Sequence, residues 1–395
     1  MIKESYCKKK LTILFCIAMF LFSIKSGSYA GFENIINYLK QNTENGLTIT
    51  MDSIEAQYVG SLWKERSFIN LNGTMARLLN MQGYYSSMDM YITDDRYIVS
   101  ASAQTTTDYE YEETMALKSF LDERGIHLLY VNEPTKYIDD SLFIHEFGIE
   151  TYSNRNADLF LQRISDGGVN VIDLREKLLE DELNVFDMFY RTDHHWTTLS
   201  GLWAAREIAE GLNEYCGYSI DTSIYAEGNY TFTSWEDCWL GEQGRKVGET
   251  YVGLDDYTEV KPNFSTNYTF KTSEGFVDGT FDNFINENIY NTENNVYENS
   301  SWHYSYSQIN CINNNVDYGK VLILGDSFEQ VTEPFISLGV SEVDTLVLRG
   351  YDDSFSLRQY IEENDYDTVI ICYAQFMIGA HDDISSANYR MYSFE

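Results

Sequence analysis

Apolar positions along the chain switch between two rhythms, and the switches predict its elements. Met115, Leu117, Phe120 and Leu121 recur at helical spacing and predict a helix over residues 110–124. Ile126 to Val131 follows as a short apolar run bounded by Gly125 and Pro134, which reads as a buried strand. A helix over 156–164, a strand over 169–174 and a short helix over 175–183 repeat the alternation. Leu199, Leu202, Ala205, Ala209 and Leu212 then mark a strong helix, with Thr197 placed to cap it. The rhythm breaks and returns as a strand over 320–324 and a helix over 330–338, which Pro334 kinks or shortens. A strand over 345–348, a helix over 356–363 and a strand over 368–373 complete it. Strands that alternate with helices predict a parallel sheet with both faces covered. The fold class is therefore α/β: a three-layer α/β/α sandwich with about five parallel strands, beginning near 126, 169, 321, 345 and 368.

The break has its own character. Residues 218–315 are rich in Asn, Thr, Tyr and Gly and poor in aliphatics, so they read as a loop-heavy, partly β insertion. Before the core, Phe32, Ile35, Ile36 and Leu39 suggest a short helix, 75–79 look helical and 89–100 strand-like. The expected organisation is an export segment at 1–30, a mixed segment at 31–100, the α/β domain at 101–217 and 318–395, and the insertion at 218–317.

The first 30 residues combine Lys8, Lys9 and Lys10 with a 14-residue uncharged, mostly apolar run from Leu11 to Ile24. Ser28 and Ala30 sit at the −3 and −1 positions of a cleavage site before Gly31. This reads as a signal peptide or an uncleaved anchor, and it places the protein outside the cytoplasm. The formal net charge is −35; the leader's five Lys and one Glu contribute +4, which leaves −39 on the remainder. Such a surface excludes a generic nucleic-acid binder, which needs clustered cations. Of six Cys, Cys216, Cys238, Cys311 and Cys372 follow the leader; no CxxC pair supports a zinc ribbon or a thioredoxin site. A Cys216–Cys238 bridge is the preferred pairing, with Cys372 a buried thiol.

In open α/β sheets, sites form at the carboxyl ends of strands. Ser327 follows the strand 321–324 directly, and Gly325 is read as letting the chain turn sharply there. A hydroxyl needs a base in hydrogen-bond reach to act as a nucleophile. The segment Asp193-His194-His195-Trp196 supplies one: His195 as base, Asp193 to orient it and Trp196 as a wall against water. The bland alternatives are Ser327 as a helix cap and His194 as a packing residue. A metal site from Asp193, His194, His195 and His303 is the chemical rival, although no HExxH pattern supports it. Asp326 reads as structural, and Lys136 and Arg349 as substrate-contact candidates or plain surface charges. Trp235, Trp239 and Trp302-His303-Tyr304 in the insertion read as packing, with sugar stacking as the alternative.

Gly325-Asp326-Ser327-Phe328 resembles the GDS motif of the SGNH/GDSL hydrolases. Asp193-His194-His195-Trp196 resembles the motif of bacterial DHHW proteins, and its Asp-x-His-Trp spacing is similar to that of the SGNH-like alginate O-acetylation proteins. Glu133-Pro134-Thr135-Lys136 is similar to the Pro-x-Lys segment of that group. The resemblance spans roughly 60–217 and 318–375. It implies a flavodoxin-like sandwich and an O-acetyltransferase or acetylesterase acting on polysaccharide, with Ser327 nucleophile, His195 base and Asp193 orienter. It also implies no cofactor, a carbohydrate substrate and a membrane-bound O-acyltransferase as acetyl supplier. Two departures stand: the C-terminal Asp-x-x-His of standard esterases is missing, and no clear oxyanion Asn block occurs. Asn132 and the Ser327 N–H are the oxyanion candidates. A non-catalytic glycan-binding or assembly protein is the alternative function.

Overall fold

The computed structural model describes residues 36–40, 65–285, 296, 310–352, 354–379 and 388–394. The export segment, residues 32–35 of the 32–39 pattern and Trp302-His303-Tyr304 lie outside the described residues, while 36–40 are helical. The chain divides into two compact units, Met1–Leu79 with Lys246–Tyr251, and Asn80–Arg245 with Val252–Glu395. In the first, the helix Glu65–Leu78 meets residues 246–251 through Asn70, whose amide donates to Glu249 Oε1 (3.2 Å).

The second unit begins with an antiparallel ribbon of β1 (Tyr91–Ile92) and β2 (Ile98–Val99). β3 (His127–Glu133) and β4 (Asn170–Asp173) enter the main sheet. β5 (Tyr230–Trp239) and β6 (Asp255–Pro262) pair separately as an antiparallel ribbon. β7 (Tyr268–Thr272), β8 (Gly275–Gly279) and β9 (Asn310–Asn313) return to the main sheet, followed by β10 (Lys320–Gly325), β11 (Glu342–Leu346) and β12 (Thr368–Ala374). The main sheet runs β4-β3-β12-β10-β11-β9-β7-β8. Helices lie on both sides of it. Every residue of β12 is buried, as a central strand covered on two faces requires.

The α/β class and the five parallel strands stand as read from the rhythm. The sheet is nevertheless mixed. β9 adds antiparallel to β11, and β7 and β8 continue outward, so the insertion extends the sheet by three strands. Those strands were hard to see because aromatic and polar residues build them and β8 is exposed along most of its length. β11 starts three residues earlier than expected, at Glu342. Its polar residues are paired: Lys271 of β7 lies 3.1 Å from Asp344, which also accepts from the Tyr366 hydroxyl (2.6 Å).

Pro334 splits the 330–338 segment into a 3-10 turn, Glu329–Val331, and one short helix, Glu333–Ile336. Thr197 caps the helix Thr198–Tyr215 by accepting from the Ser200 N–H. The preferred Cys216–Cys238 bridge does not form. Cys216, Cys238, Cys311 and Cys372 are buried thiols outside any disulfide, and the Cys372 thiol donates to Glu133 Oε1 (3.3 Å). Reductant is therefore expected to leave the melting temperature of the oxidised protein unchanged. Cys216, Cys238, Cys311 and Cys372 should react with a thiol reagent only after denaturation, and a downward shift on reduction would reveal a bridge.

Candidate active site

β10 delivers Ser327 to the carboxyl edge of the sheet, two residues past Gly325. The turn is held from below. Asp326, fully buried, accepts from the Phe328 N–H (2.8 Å) and from the Ala374 N–H at the end of β12 (2.9 Å). Burial raises its carboxyl pKa, and these N–H groups oppose the rise. Gly325 serves space rather than a left-handed turn. Its φ is not positive, but a Cβ there would meet Glu329 Cγ at 2.1 Å.

The second element is a tight loop. The Phe189–Trp196 bridge closes it, with the Tyr190 N–H donating to the His195 carbonyl (3.1 Å). Inside, Asp193 Oδ1 accepts from the His195 N–H (3.2 Å) and faces His195 Nδ1 at 2.6 Å. His195 Nε2 lies 2.8 Å from Ser327 Oγ. A carboxylate at Nδ1 places the ring proton there, so Nε2 is the acceptor and the Ser327 hydroxyl donates. Burial works against an ionised Asp193, but the facing His195, its hydrogen bond, His194 and the Glu242 N–H outweigh it and hold the carboxyl well below its usual range. The arrangement sets a hydroxyl, an imidazole and a carboxylate in one hydrogen-bonded line, with Ser327 half-buried.

Distant residues hold this loop, and sequence reasoning passed over them. Asp255, at the start of β6, accepts from the Arg191 N–H (2.7 Å), the Thr192 N–H (2.9 Å) and the Thr192 hydroxyl. The Gly241 N–H donates to Thr192 Oγ1 (2.7 Å) and the Glu242 N–H to Asp193 Oδ2 (2.8 Å). Gly241 is required for this approach, since a Cβ there would lie 2.5 Å from Asp193 Cβ. All three sit in the insertion, 49 or more positions from the motif they support. The one weak signal was a Gly-Glu pair right after the aromatic Cys238-Trp239-Leu240 segment.

The other candidates scatter. Lys136 is buried and donates to the carbonyls of Ile98 (2.7 Å) and Asp193 (2.5 Å), so it braces the loop rather than presenting its ammonium. Burial brings its pKa down to about 8. Trp196 is fully buried, and its indole N–H donates to the Phe328 carbonyl (2.7 Å), tying the His195 loop to the Ser327 turn. Asn132 donates its amide to Asp173 (3.0 Å) and Gln375 (3.5 Å). Arg349 is exposed and reaches Asn388 (3.4 Å). Trp239 packs edge-on against Tyr190, and Trp235 stacks on Tyr257. Asp193, His194 and His195 bring potential metal-ligand atoms within 4.8 Å of one another. Both His195 nitrogens already face partners, Asp193 and Ser327, which disfavours a shared ion.

Beneath the turn lie buried acids. Glu133 and Glu329 are fully buried, and burial pushes both carboxyls well above their usual range, with Asp326 adding to Glu133 and Glu333 to Glu329. An acid whose folded pKa is raised contributes fully below its unfolded value of about 4.3, and that contribution is lost as pH rises through the folded value. Glu329→Gln is thus expected to melt higher than the parent at pH 7–8, with the gain shrinking toward pH 4. Thermal melts across that range check it. Asp255→Ala should cost about 3 kcal/mol by stranding buried donors, with Asp255→Asn milder because one acceptor remains. Urea denaturation of both variants measures the difference.

Residues 90–227 match the family described as SGNH hydrolase-like domain, acetyltransferase AlgX. Alginate biosynthesis protein AlgX of Pseudomonas syringae pv. tomato is 30% identical over 118 residues, covering 29% of this chain and 24% of that protein. The match thus spans about a quarter of that relative. The structure of Bacillus cereus PatB1 aligns with a TM-score of 0.59 at 20% identity, over 78% of this chain and 99% of the other. A DHHW family protein from Eubacterium siraeum aligns with a TM-score of 0.53 at 15% identity, over 77% of this chain and 94% of the other. With its α/β sheet and its Asp-x-His-Trp loop beside the Gly-Asp-Ser turn, the chain is similar in sequence over 90–227 to the SGNH hydrolase-like domain of acetyltransferase AlgX, and in fold to PatB1 and the DHHW protein.

Proposed function

We propose that this protein is an exported serine-type O-acetyltransferase or acetylesterase of polysaccharide. The observation that carries the reading is the hydrogen-bond line from Ser327 Oγ through His195 (2.8 Å) to Asp193 (2.6 Å). The AlgX match over 90–227 supports the acetyl and polysaccharide parts. In the proposed cycle, Ser327 Oγ attacks the carbonyl carbon of an acetyl ester while His195 Nε2 takes the hydroxyl proton. Asp193 stabilises the imidazolium, which then gives its proton to the departing alcohol. In the second half, a sugar hydroxyl or water attacks the acetyl-serine, His195 takes its proton, and Ser327 leaves and regains one. The Ser327 N–H is the proposed oxyanion donor; Asn132 joins it only by releasing Asp173.

In this reading residues 101–217 and 318–395 form the acyl-transfer core, and 218–317 the insertion that braces it. Residues 1–30 direct export. None of the described helices is long and apolar enough to cross a membrane. A membrane-bound O-acyltransferase is the proposed acetyl supplier.

Incubation with an activated acetyl ester, followed by mass spectrometry, is expected to place an acetyl group on Ser327. Ser327→Ala should give no adduct, and His195→Ala should slow its formation on the order of 10³-fold. A parent protein that never acquires the group, yet binds oligosaccharide, would leave the non-catalytic glycan-binding function instead.

A further inference from the structure

A cavity of about 490 Å³ opens beside the reacting residues. Its near wall is His194 and Phe328, the neighbours of His195 and Ser327. We infer that this cavity is the acceptor subsite, and that it takes an uncharged, hydroxyl-rich sugar rather than a uronate. This rests on the acyl-transfer reading and adds the class of acceptor to it.

Charge supplies the first argument. The acidic residues on the lining are Asp89 and Asp140. Among the described residues the lining holds no Arg, and its Lys is Lys136, buried and donating to two carbonyls. A carboxylate-bearing sugar would enter without an available counter-charge and against two acids, on a chain of net charge −35. His194 offers little cationic help at neutral pH, because burial first and His195 second bring its pKa down to about 4.

Polar lining supplies the second. Uncharged polar side chains, among them Ser100, Ser102, Thr135 and Gln243, stand on the lining. Hydroxyls and amides both donate and accept, which matches the hydroxyls of a sugar while supplying no counter-charge for a carboxylate. The third argument is a platform. Phe376, just past β12, is 37% exposed and lies against the rings of Phe328 (5.6 Å) and His194 (5.9 Å). A partly exposed aromatic held by two other rings suits the apolar face of a pyranose.

Seated there, the sugar hydroxyl oxygen attacks the carbonyl carbon of the acetyl-serine, and His195 Nε2 takes its proton. The Ser327 Oγ–acyl bond breaks, and Oγ recovers the proton. The acetyl group comes from an ester donor.

The test is calorimetric binding of two oligomers to the full chain without an acetyl donor: a neutral N-acetylhexosamine oligomer and an oligouronate. The neutral oligomer is expected to bind at least tenfold tighter. Phe376→Ala should weaken its binding about tenfold and Gln243→Ala several-fold, while Phe376→Trp restores it. Equal or tighter binding of the oligouronate, or unchanged affinity in both Ala variants, overturns the inference. Acetyl-Ser327 formation in the parent protein is scored separately, so loss of the acyl-transfer reading is distinguishable from loss of this one.

Discussion

The Asp193 carboxylate is the point at which this structure closes. One oxygen faces His195 Nδ1 at 2.6 Å and takes the His195 N–H at 3.2 Å, while the other takes the Glu242 N–H at 2.8 Å. A buried carboxylate is tolerable only when its lone pairs are filled. Here the filling groups are His195 itself and a backbone segment brought from the insertion. The interaction that orients the imidazole therefore also docks the insertion onto the core.

The same economy governs the other buried charges. Lys136 bonds the Asp193 carbonyl, and Asp255 takes three donors from Arg191 and Thr192. Trp196 reaches across to the Phe328 carbonyl, so the His195 loop and the Ser327 turn share a direct tie. Each of these groups would be costly if left unpaired, and each pairing narrows the positions that His195 can adopt. Gly241 beside Asp193 and the Thr192 carbonyl lets the backbones come near enough for the bonds to this loop, while Gly325 makes room for the Glu329 side chain.

Much of the parallel core was legible in the chain. β10, β12 and the middle of β3 are near-continuous apolar runs, as strands covered on both faces require, and their alternation with helices leaves one main architecture. The Ser327, His195 and Asp193 candidates were legible too, since a reactive hydroxyl at a strand end needs a base and an orienter of a few residue types. The antiparallel half of the sheet was not. β7, β8 and β9 are short, aromatic and polar, and their pairing partners lie far along the chain. Glu342 and Asp344 hid the start of β11, because only the fold reveals Lys271 opposite them.

The sequence by itself determined the α/β class, the order of the parallel strands' segments and the residue types at the site, all of which follow from local periodicity and short spacing. Tertiary structure alone decided that Lys136 braces a loop, that Asn132 turns to Asp173, and that Asp255, Gly241 and Glu242 hold Asp193 in place. The reason is physical. A side chain's type constrains what it can bond, but its partner is chosen by which backbone groups folding buries beside it, and that choice is made across sequence separations that no local pattern encodes.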